Sequence, residues 1–157
     1  MAIPLLLLAG VALCADGAPR VDPVVAAMDA MIQEEYRSSA AYERFARDFG
    51  AVPPFAGWAA VERNHAELIG LLYTDRGLGV PPSRWSAGAV PSHRVLSAAC
   101  GALLAVESEV IRRYDAYLED RTLPTDVRRV FRHNRGVAGR EHVPELRLCS
   151  LRDMVPR

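Results

Sequence analysis

A glutamate and a histidine, Glu62 and His65, have the spacing expected of a metal-binding pair on a helix. Residues three positions apart lie on the same helix face. The apolar residues around this pair recur at spacings of three and four, and they are Phe55, Trp58, Ile69 and Leu72. Glu62 and His65 fill the gaps in that apolar stripe. Two polar side chains are therefore predicted on the face that should enter the core.

Three further polar residues fall on predicted apolar faces: Glu35, Glu107 and His142. Glu34, next to Glu35, lies outside the apolar stripe of the first predicted helix. A single buried histidine or glutamate usually has a structural explanation, such as a hydrogen bond or a place near a helix end. Several carboxylates buried at one level repel one another, and a bound cation would relieve that cost. Carboxylate and imidazole ligands suit iron, manganese or zinc.

Four helices are predicted to position these side chains. Asp22 and Pro23 form a typical helix start, and Gly50 a typical stop. Pro144 should kink the fourth helix or end its regular part. The short link between the first two helices makes them antiparallel neighbours. The predicted bounds are about residues 23–49, 54–73 and 92–119. The fourth helix begins near residue 126 and passes through His142, and some apolar spacing continues to Cys149.

The segment 74–92 is rich in glycine and proline and has no helical periodicity. It is long enough to run the length of a helix, which predicts a long crossover between the second and third helices. Its Trp85 is expected to cover the bundle as a lid. The chain is therefore predicted to be an all-α, antiparallel four-helix bundle.

An internal repeat supports this arrangement. Tyr42 follows Glu35 by seven residues, and Tyr114 follows Glu107 by the same number. Each of these helices precedes a helix with an inward histidine. Tyr42 and Tyr114 could donate hydrogen bonds to ligand carboxylates, and simple core packing is an equal alternative.

Two cysteines should meet in this topology, because Cys100 begins the third helix and Cys149 ends the fourth. Adjacent ends of an antiparallel pair favour a disulfide, and two buried thiols are the alternative. The apolar run at residues 3–13, followed by Cys14, has the length of a signal-peptide core. Residues 1–18 are thus a predicted signal and short tail, with a lipid-modified Cys14 or an incorrect start codon as alternatives. Residues 19–157 form the predicted domain, exported to the periplasm or beyond, without a stable membrane span.

The basic and acidic residues balance at 19 each. A basic nucleic-acid-binding surface is therefore not indicated. At 157 residues, half of them hydrophobic, the chain is long enough for one domain with a real core.

Two segments, residues 35–46 and 62–67, resemble the first two helices of rubrerythrin-like proteins in the ferritin-like superfamily. Residues 106–115 and 140–142 look like the third and fourth helices of a bacterial ferritin-like family of unknown function. The resemblance covers about residues 25–149. It implies a di-iron site, or one with manganese, built from two single glutamates and two Glu-x-x-His pairs.

The resemblance implies ligand roles for the five residues. Glu62 and Glu107 would bridge, Glu35 would be terminal, and His65 and His142 would supply nitrogen. Gly139 stands where the second pair needs its glutamate, so Glu141, Glu145 or water would have to substitute. The alternative is one metal ion held by Glu35, Glu62, His65 and Glu107, with His142 completing a second position.

The implied reaction oxidises Fe(II) with dioxygen or hydrogen peroxide. The expected partners are metal ions and an unidentified electron donor, and a homodimer is an open possibility. A degenerate, non-enzymatic bundle that serves as a binding or structural module is the rival hypothesis.

Overall fold

The protein is an all-helical bundle, as predicted. The computed structural model describes residues 22–152 apart from 51 and 54, and no strand occurs in that part of the chain. The predicted signal segment and Cys14 lie outside the described residues. None of the described helices is both long and apolar enough to cross a membrane. The helices are α1 Pro23–Phe49, α2 Phe55–Thr74, α3 Leu96–Glu119, α4 Thr125–Val137 and α5 Val143–Ser150.

The first helix has the predicted bounds. The Asp22 side chain accepts a hydrogen bond of 2.8 Å from the Val24 N–H, and Pro23 occupies the first turn. Gly50 has a φ of 80°, a conformation that favours glycine, and it ends the helix. Local sequence therefore accounts for both ends of α1.

The segment between α2 and α3 packs along α1. Gln33 Nε2 donates to the Pro82 carbonyl at 2.9 Å, and the Arg44 guanidinium contacts the Val90 carbonyl at 3.4 Å. The Arg37 guanidinium carbon lies 6.0 Å from the centre of the Trp85 ring. The Trp85 side chain is 39% exposed.

Helix α3 begins at Leu96, so the predicted start near Ser92 was wrong. The His93 ring packs edge-on against Phe45 with centroids 5.4 Å apart, and Val95 is extended. These tertiary contacts favour an extended chain where local sequence favours a helix.

The fourth helical run continues beyond Pro144. Residues Ala138–His142 form a π-helical turn between α4 and α5, in which the Val143 N–H donates to the Ala138 carbonyl. Proline has no N–H to donate to the preceding turn, and the wider π turn accommodates this loss. The helix therefore reaches Ser150 instead of ending at the proline.

This continuation brings Cys149 to Cys100, and the two form the predicted disulfide with Cα atoms 5.8 Å apart. Both side chains are buried. The bridge joins α3 to α5 across 49 residues of sequence.

The core consists of two apolar clusters. One contains Met28, Met31, Ile32, Ile69, Val110 and Phe131 among others. The second includes Phe45, Phe55, Leu103, Leu146 and the disulfide. Tyr114 belongs to the first cluster and Tyr42 to the second. Two of the polar residues predicted for the core contact these tyrosines: Tyr114 donates to Glu35, and Tyr42 packs edge-on against His142.

Candidate metal centre

The five predicted ligands form two groups that share one residue. The first group is Glu35, Glu62 and His65, and the second group is Glu62, Glu107 and His142. In each group one ligand atom per residue lies within 4.8 Å of the others, and every residue is buried. Four helical elements supply them, because α1, α2, α3 and the π turn each contribute at least one. Each group could hold a metal ion.

Glu62 lies between the two histidines. Its Oε2 is 3.2 Å from His65 Nδ1, and its Oε1 is 2.8 Å from His142 Nδ1. The outer carboxylates are slightly farther from the histidines, with Glu35 Oε2 3.5 Å from His65 Nδ1 and Glu107 Oε2 3.6 Å from His142 Nδ1. Glu62 alone has one oxygen in each group. Glu107 lies in the second group only, and the bridging role expected of it stays a prediction.

The distances between the histidine nitrogens and the carboxylate oxygens are compatible with ligands around a metal ion. Atoms bound about 2.0–2.2 Å from one metal ion in adjacent positions lie roughly 3 Å apart. His142 Nδ1 and Glu62 Oε1 approach to 2.8 Å, yet neither has a hydrogen-bond partner with acceptable geometry among the described residues. Both atoms are buried, where an unpaired polar group is costly. The two groups of carboxylates and imidazoles could therefore each hold a metal ion.

Two residues outside the ligand set hold Glu35. The Tyr114 hydroxyl donates to Glu35 Oε1, and Asn134 Nδ2 lies 3.2 Å from the same oxygen. Asn134 Nδ2 is also 3.1 Å from the Tyr114 hydroxyl and 3.3 Å from the His65 carbonyl. Asn134 therefore ties α1, α2, α3 and α4 together at the first group.

Asn134 was not among the predicted site residues. The available signal was its position on the apolar stripe of the fourth helix, between Phe131 and Ala138. Its place in an apolar stripe predicts that Asn134 is buried. A buried asparagine needs several hydrogen bonds, so partners on neighbouring helices were to be expected.

We expect Asn134→Ala to destabilise the metal-free protein by about 2 kcal/mol, because it leaves a buried carboxylate and a buried carbonyl with fewer donors. Urea unfolding followed by circular dichroism measures this change. Asn64→Ala is the matched control, since Asn64 is exposed on α2. Equal stability of the two variants would contradict the role of Asn134.

The aromatic residues repeat between the halves of the chain. Tyr114 of α3 contacts Glu35 of α1, while Tyr42 of α1 lies beside Glu107 of α3. The Tyr42 hydroxyl differs in that it has no hydrogen-bond partner among the described residues. Trp58 stacks on His142, with ring centroids 4.3 Å apart and an interplanar angle of 31°.

Two small residues, Ala138 and Gly139, stand on the turn before His142, and the resemblance requires a glutamate at Gly139. A Cβ on Gly139 would lie 3.3 Å from Arg135 Nη1 and 3.8 Å from Ile111 Cδ1. Its neighbour Ala138 is only 3% exposed. Ala138, four residues before His142, is the buried residue on the preceding turn, and Gly139 is only partly buried.

Neither acidic residue near His142 replaces the missing ligand. Glu141 and Glu145 are both exposed. The two substitutes that the sequence left open are therefore excluded, and the fourth helix contributes His142 alone.

Glu34 is also buried, although the sequence pattern placed it outside the stripe. It pairs with Arg37 at 2.7 Å and with Arg113 at 3.4 Å. These arginines balance its charge away from the two metal-binding groups. His133 is exposed as predicted, and its ring centre is 6.0 Å from that of His65.

Without a metal ion the cluster retains protons. Burial and the charges of Glu107 and Glu35 raise the pKa of Glu62 to about 8. Burial lowers the pKa of His65, but its hydrogen bonds to Glu35 and Glu62 outweigh this effect. They raise the pKa of His65 to about 10. Burial lowers the pKa of His142, but the adjacent carboxylates of Glu107 and Glu62 outweigh it and raise that pKa to about 9. Burial would raise the pKa of Glu35, but its hydrogen bonds with His65 and Glu62 lower it.

These shifts predict a pH dependence of the metal-free protein. Glu62 and both histidines bind protons more tightly in the folded state than in the unfolded chain, whose groups titrate near their ordinary values. Stability is therefore lost as pH rises through the raised pKa values.

We expect Tm to fall between about pH 6 and about pH 9 in the presence of a chelator. Thermal unfolding by circular dichroism at several pH values measures it, and metal-loaded protein serves as the control because its ligands hold no such protons. A Tm that rises across this window in the metal-free protein would contradict the prediction.

Comparison with family models, with curated proteins and with solved structures gives no match for this chain. The assignment of a function therefore depends on the geometry of the two groups.

Proposed function

We propose that the protein is a ferritin-like metalloprotein whose antiparallel four-helix core binds two iron or manganese ions. The observation that carries this proposal is the position of Glu62, which directs one oxygen to each of two histidines. A shared carboxylate between two carboxylate–histidine groups suits a pair of ions better than a single one. The buried polar atoms without partners support the presence of a ligand.

Each residue has a specific task in this proposal. Glu62 lies between the two ions, Glu35 and His65 complete the first group, and Glu107 and His142 complete the second group. Tyr114 and Asn134 orient Glu35 by hydrogen bonds. The surrounding apolar clusters keep bulk water from the centre and strengthen its electrostatic interactions.

Bound iron would supply the redox chemistry, in which Fe(II) is oxidised by dioxygen or hydrogen peroxide. Electrons for further turnovers would come from a separate donor. The reaction is proposed on the basis of the donor set, which is the carboxylate-rich set that iron and manganese use.

A second function is favoured by the absence of a buried carboxylate beside His142 among the described residues. Ala138 and Gly139 supply none, and Glu141 and Glu145 are exposed. A site with fewer ligands could serve a non-enzymatic bundle that binds metal without turnover and acts as a binding or structural module.

Anaerobic titration with Fe(II), followed by exposure to oxygen, separates these functions. We expect about two ions per chain and consumption of oxygen when air is admitted. His65→Ala should lower the number of tightly bound ions to about one, because the first group loses its only nitrogen ligand. His133→Ala should retain both, since His133 is exposed.

Two bound ions without oxygen or peroxide consumption would support the non-enzymatic function. Failure of the wild type to take up any iron or manganese would refute the metal-binding proposal itself.

A further inference from the structure

The fourth helical run has a continuous row of exposed side chains along its outer side. This run consists of α4, the π turn and α5, and residues 129–151 of it extend over about 33 Å. The exposed residues recur at spacings of three, four and seven, which places them on one side of the helix. We call this row the outer face, and it contains Arg129, Arg132, His133, Arg140, Pro144, Arg147, Leu148 and Leu151.

The π turn keeps the outer face continuous. On the opposite side of the run the buried residues Asn134, Ala138, His142 and Leu146 follow one another at intervals of four. In a regular α-helix each interval of four carries a residue about 40° further around the axis. The wider π turn at residues 138–142 offsets part of this drift. The exposed side chains before and after the turn therefore stay on the same side.

The arginines of the outer face are not neutralised by neighbouring carboxylates. Among the residues that the structure describes, no ion pair is formed by Arg129, Arg132, Arg140 or Arg147. The acidic Glu141 and Glu145 each follow an outer-face position by one residue, so they lie about 100° to one side. The chain has a formal net charge of zero, yet this face is cationic.

Two exposed leucines lie at the C-terminal end of the outer face. Leu148 is 70% exposed and Leu151 is 50% exposed, and Leu148 is the most exposed large apolar side chain of the described residues. Arg147 is adjacent to Leu148 in sequence. Cationic side chains bind the headgroups of an anionic membrane, and leucines enter the boundary between headgroups and acyl chains. The outer face combines both features.

A lipid surface accounts for this combination better than other anionic partners. A nucleic acid would neutralise the arginines and leave the two leucines in water. An acidic protein would need an apolar groove matched to the leucines, whereas a membrane accepts them at any lateral position. The long apolar stems of the arginines also suit contact with a broad surface.

We propose that the outer face binds an anionic membrane surface, with its arginines at the lipid phosphates and with Leu148 and Leu151 at the acyl boundary. The fourth helical run then lies parallel to the membrane plane. Its buried side, which includes Asn134 and His142, continues to face the core of the bundle. This inference does not depend on metal binding, so metal-free and metal-loaded protein should bind vesicles equally.

Vesicles of equal parts phosphatidylglycerol and phosphatidylcholine are the probe, and vesicles of phosphatidylcholine alone are the neutral comparison. Co-sedimentation of the full chain should show binding to the anionic vesicles that is about tenfold stronger or more. Each arginine near such a surface strengthens binding about fivefold. The variant Arg129→Gln/Arg132→Gln/Arg140→Gln should therefore weaken binding to the anionic vesicles about thirtyfold or more.

A matched control removes the same charge from other surfaces. Arg47, Arg84 and Arg94 are exposed away from the fourth helical run. The variant Arg47→Gln/Arg84→Gln/Arg94→Gln should bind the anionic vesicles within about threefold of the wild type. Circular dichroism and thermal unfolding establish that every variant is folded.

The leucines test whether the contact reaches the acyl chains. Leu148→Ser/Leu151→Ser should weaken binding to the anionic vesicles about tenfold, because the apolar contact is lost. Leu71→Ser/Leu78→Ser is the control, since both leucines are exposed elsewhere, and it should bind as the wild type does.

A fluorescence measurement locates the contact directly. The added indole of Leu148→Trp should be quenched by brominated acyl chains in the anionic vesicles, whereas that of Leu71→Trp should not. The apolar run at residues 3–13 is the same in both variants, so the difference between them reports on the outer face alone.

The outcomes separate a membrane from other partners and from the metal proposal. If the outer-face arginine variant binds as tightly as its control, or if Leu148→Trp is not quenched, the inference is wrong. Weaker binding of the arginine variant without an effect of the leucines would also overturn it, because a contact by charge alone fits an acidic protein or a nucleic acid. Each of these results leaves the metal-binding proposal unchanged, and loss of metal binding leaves this inference unchanged.

Discussion

Replacing Glu62 by alanine is expected to abolish binding of both metal ions. Glu62 is the only residue in both groups, and each group would be left with one carboxylate and one histidine. The tight-binding stoichiometry should fall from about two ions per chain to about zero, since two ligands hold a transition metal poorly. Anaerobic Fe(II) or Co(II) titration with elemental analysis after gel filtration measures this change.

Two comparisons make the result specific. Glu67→Ala removes a carboxylate that is exposed on the same helix, and it should retain both ions. Glu107→Gln removes a ligand from the second group alone and should leave about one ion at Glu35, Glu62 and His65. If Glu62→Ala retained one tightly bound ion, the carboxylate would not be shared and the two-ion arrangement would be wrong.

Loss of the disulfide is expected to cost about 4 kcal/mol of folding free energy. The bridge closes a loop of about 50 residues between Cys100 and Cys149, and the chain-entropy relation for a loop of this length gives that value. Urea unfolding of the Cys100→Ala/Cys149→Ala double variant against the oxidised wild type measures it. The truncation of two buried side chains adds to the cost, so the chemically reduced wild type is measured as well.

A chemical reductant also provides the control. It should lower the free energy of unfolding of the wild type and leave that of the double variant unchanged. His142 is on the same helical run as Cys149. We therefore expect the second group to lose its ion at lower urea concentration than the first group in the reduced protein. Free thiols at both positions in protein purified without reductant would refute the disulfide.

The all-α class and the ends of α1 could be predicted because they depend on local chemistry. The side chain of Asp22, the ring of Pro23 and the backbone freedom of Gly50 act within one turn of the residues they control. Glu62 and His65 were recognisable for a similar reason, since their spacing on a helix determines that they share a face. The cysteine pairing followed from the order and length of the helices.

Other features depend on contacts between distant parts of the chain. The start of α3 moved to Leu96 because His93 packs against Phe45, a residue nearly fifty positions earlier. The π turn at Ala138–His142, through which the helix passes Pro144, is not predicted by a regular helical periodicity. Glu34 is buried because Arg113 reaches it from another helix.

The sequence by itself determined the residue types at the centre and the helices that carry them. Periodicity is a property of one helix, so it can show that Glu35, Glu62 and Glu107 each point inward. Only the tertiary structure decided how these side chains divide into groups. The division depends on Glu62 lying between two histidines 77 positions apart in sequence. It also depends on Tyr114 and Asn134, which hold Glu35, and on Tyr42, which lies beside Glu107. The asymmetry of the centre is therefore a consequence of packing between helices.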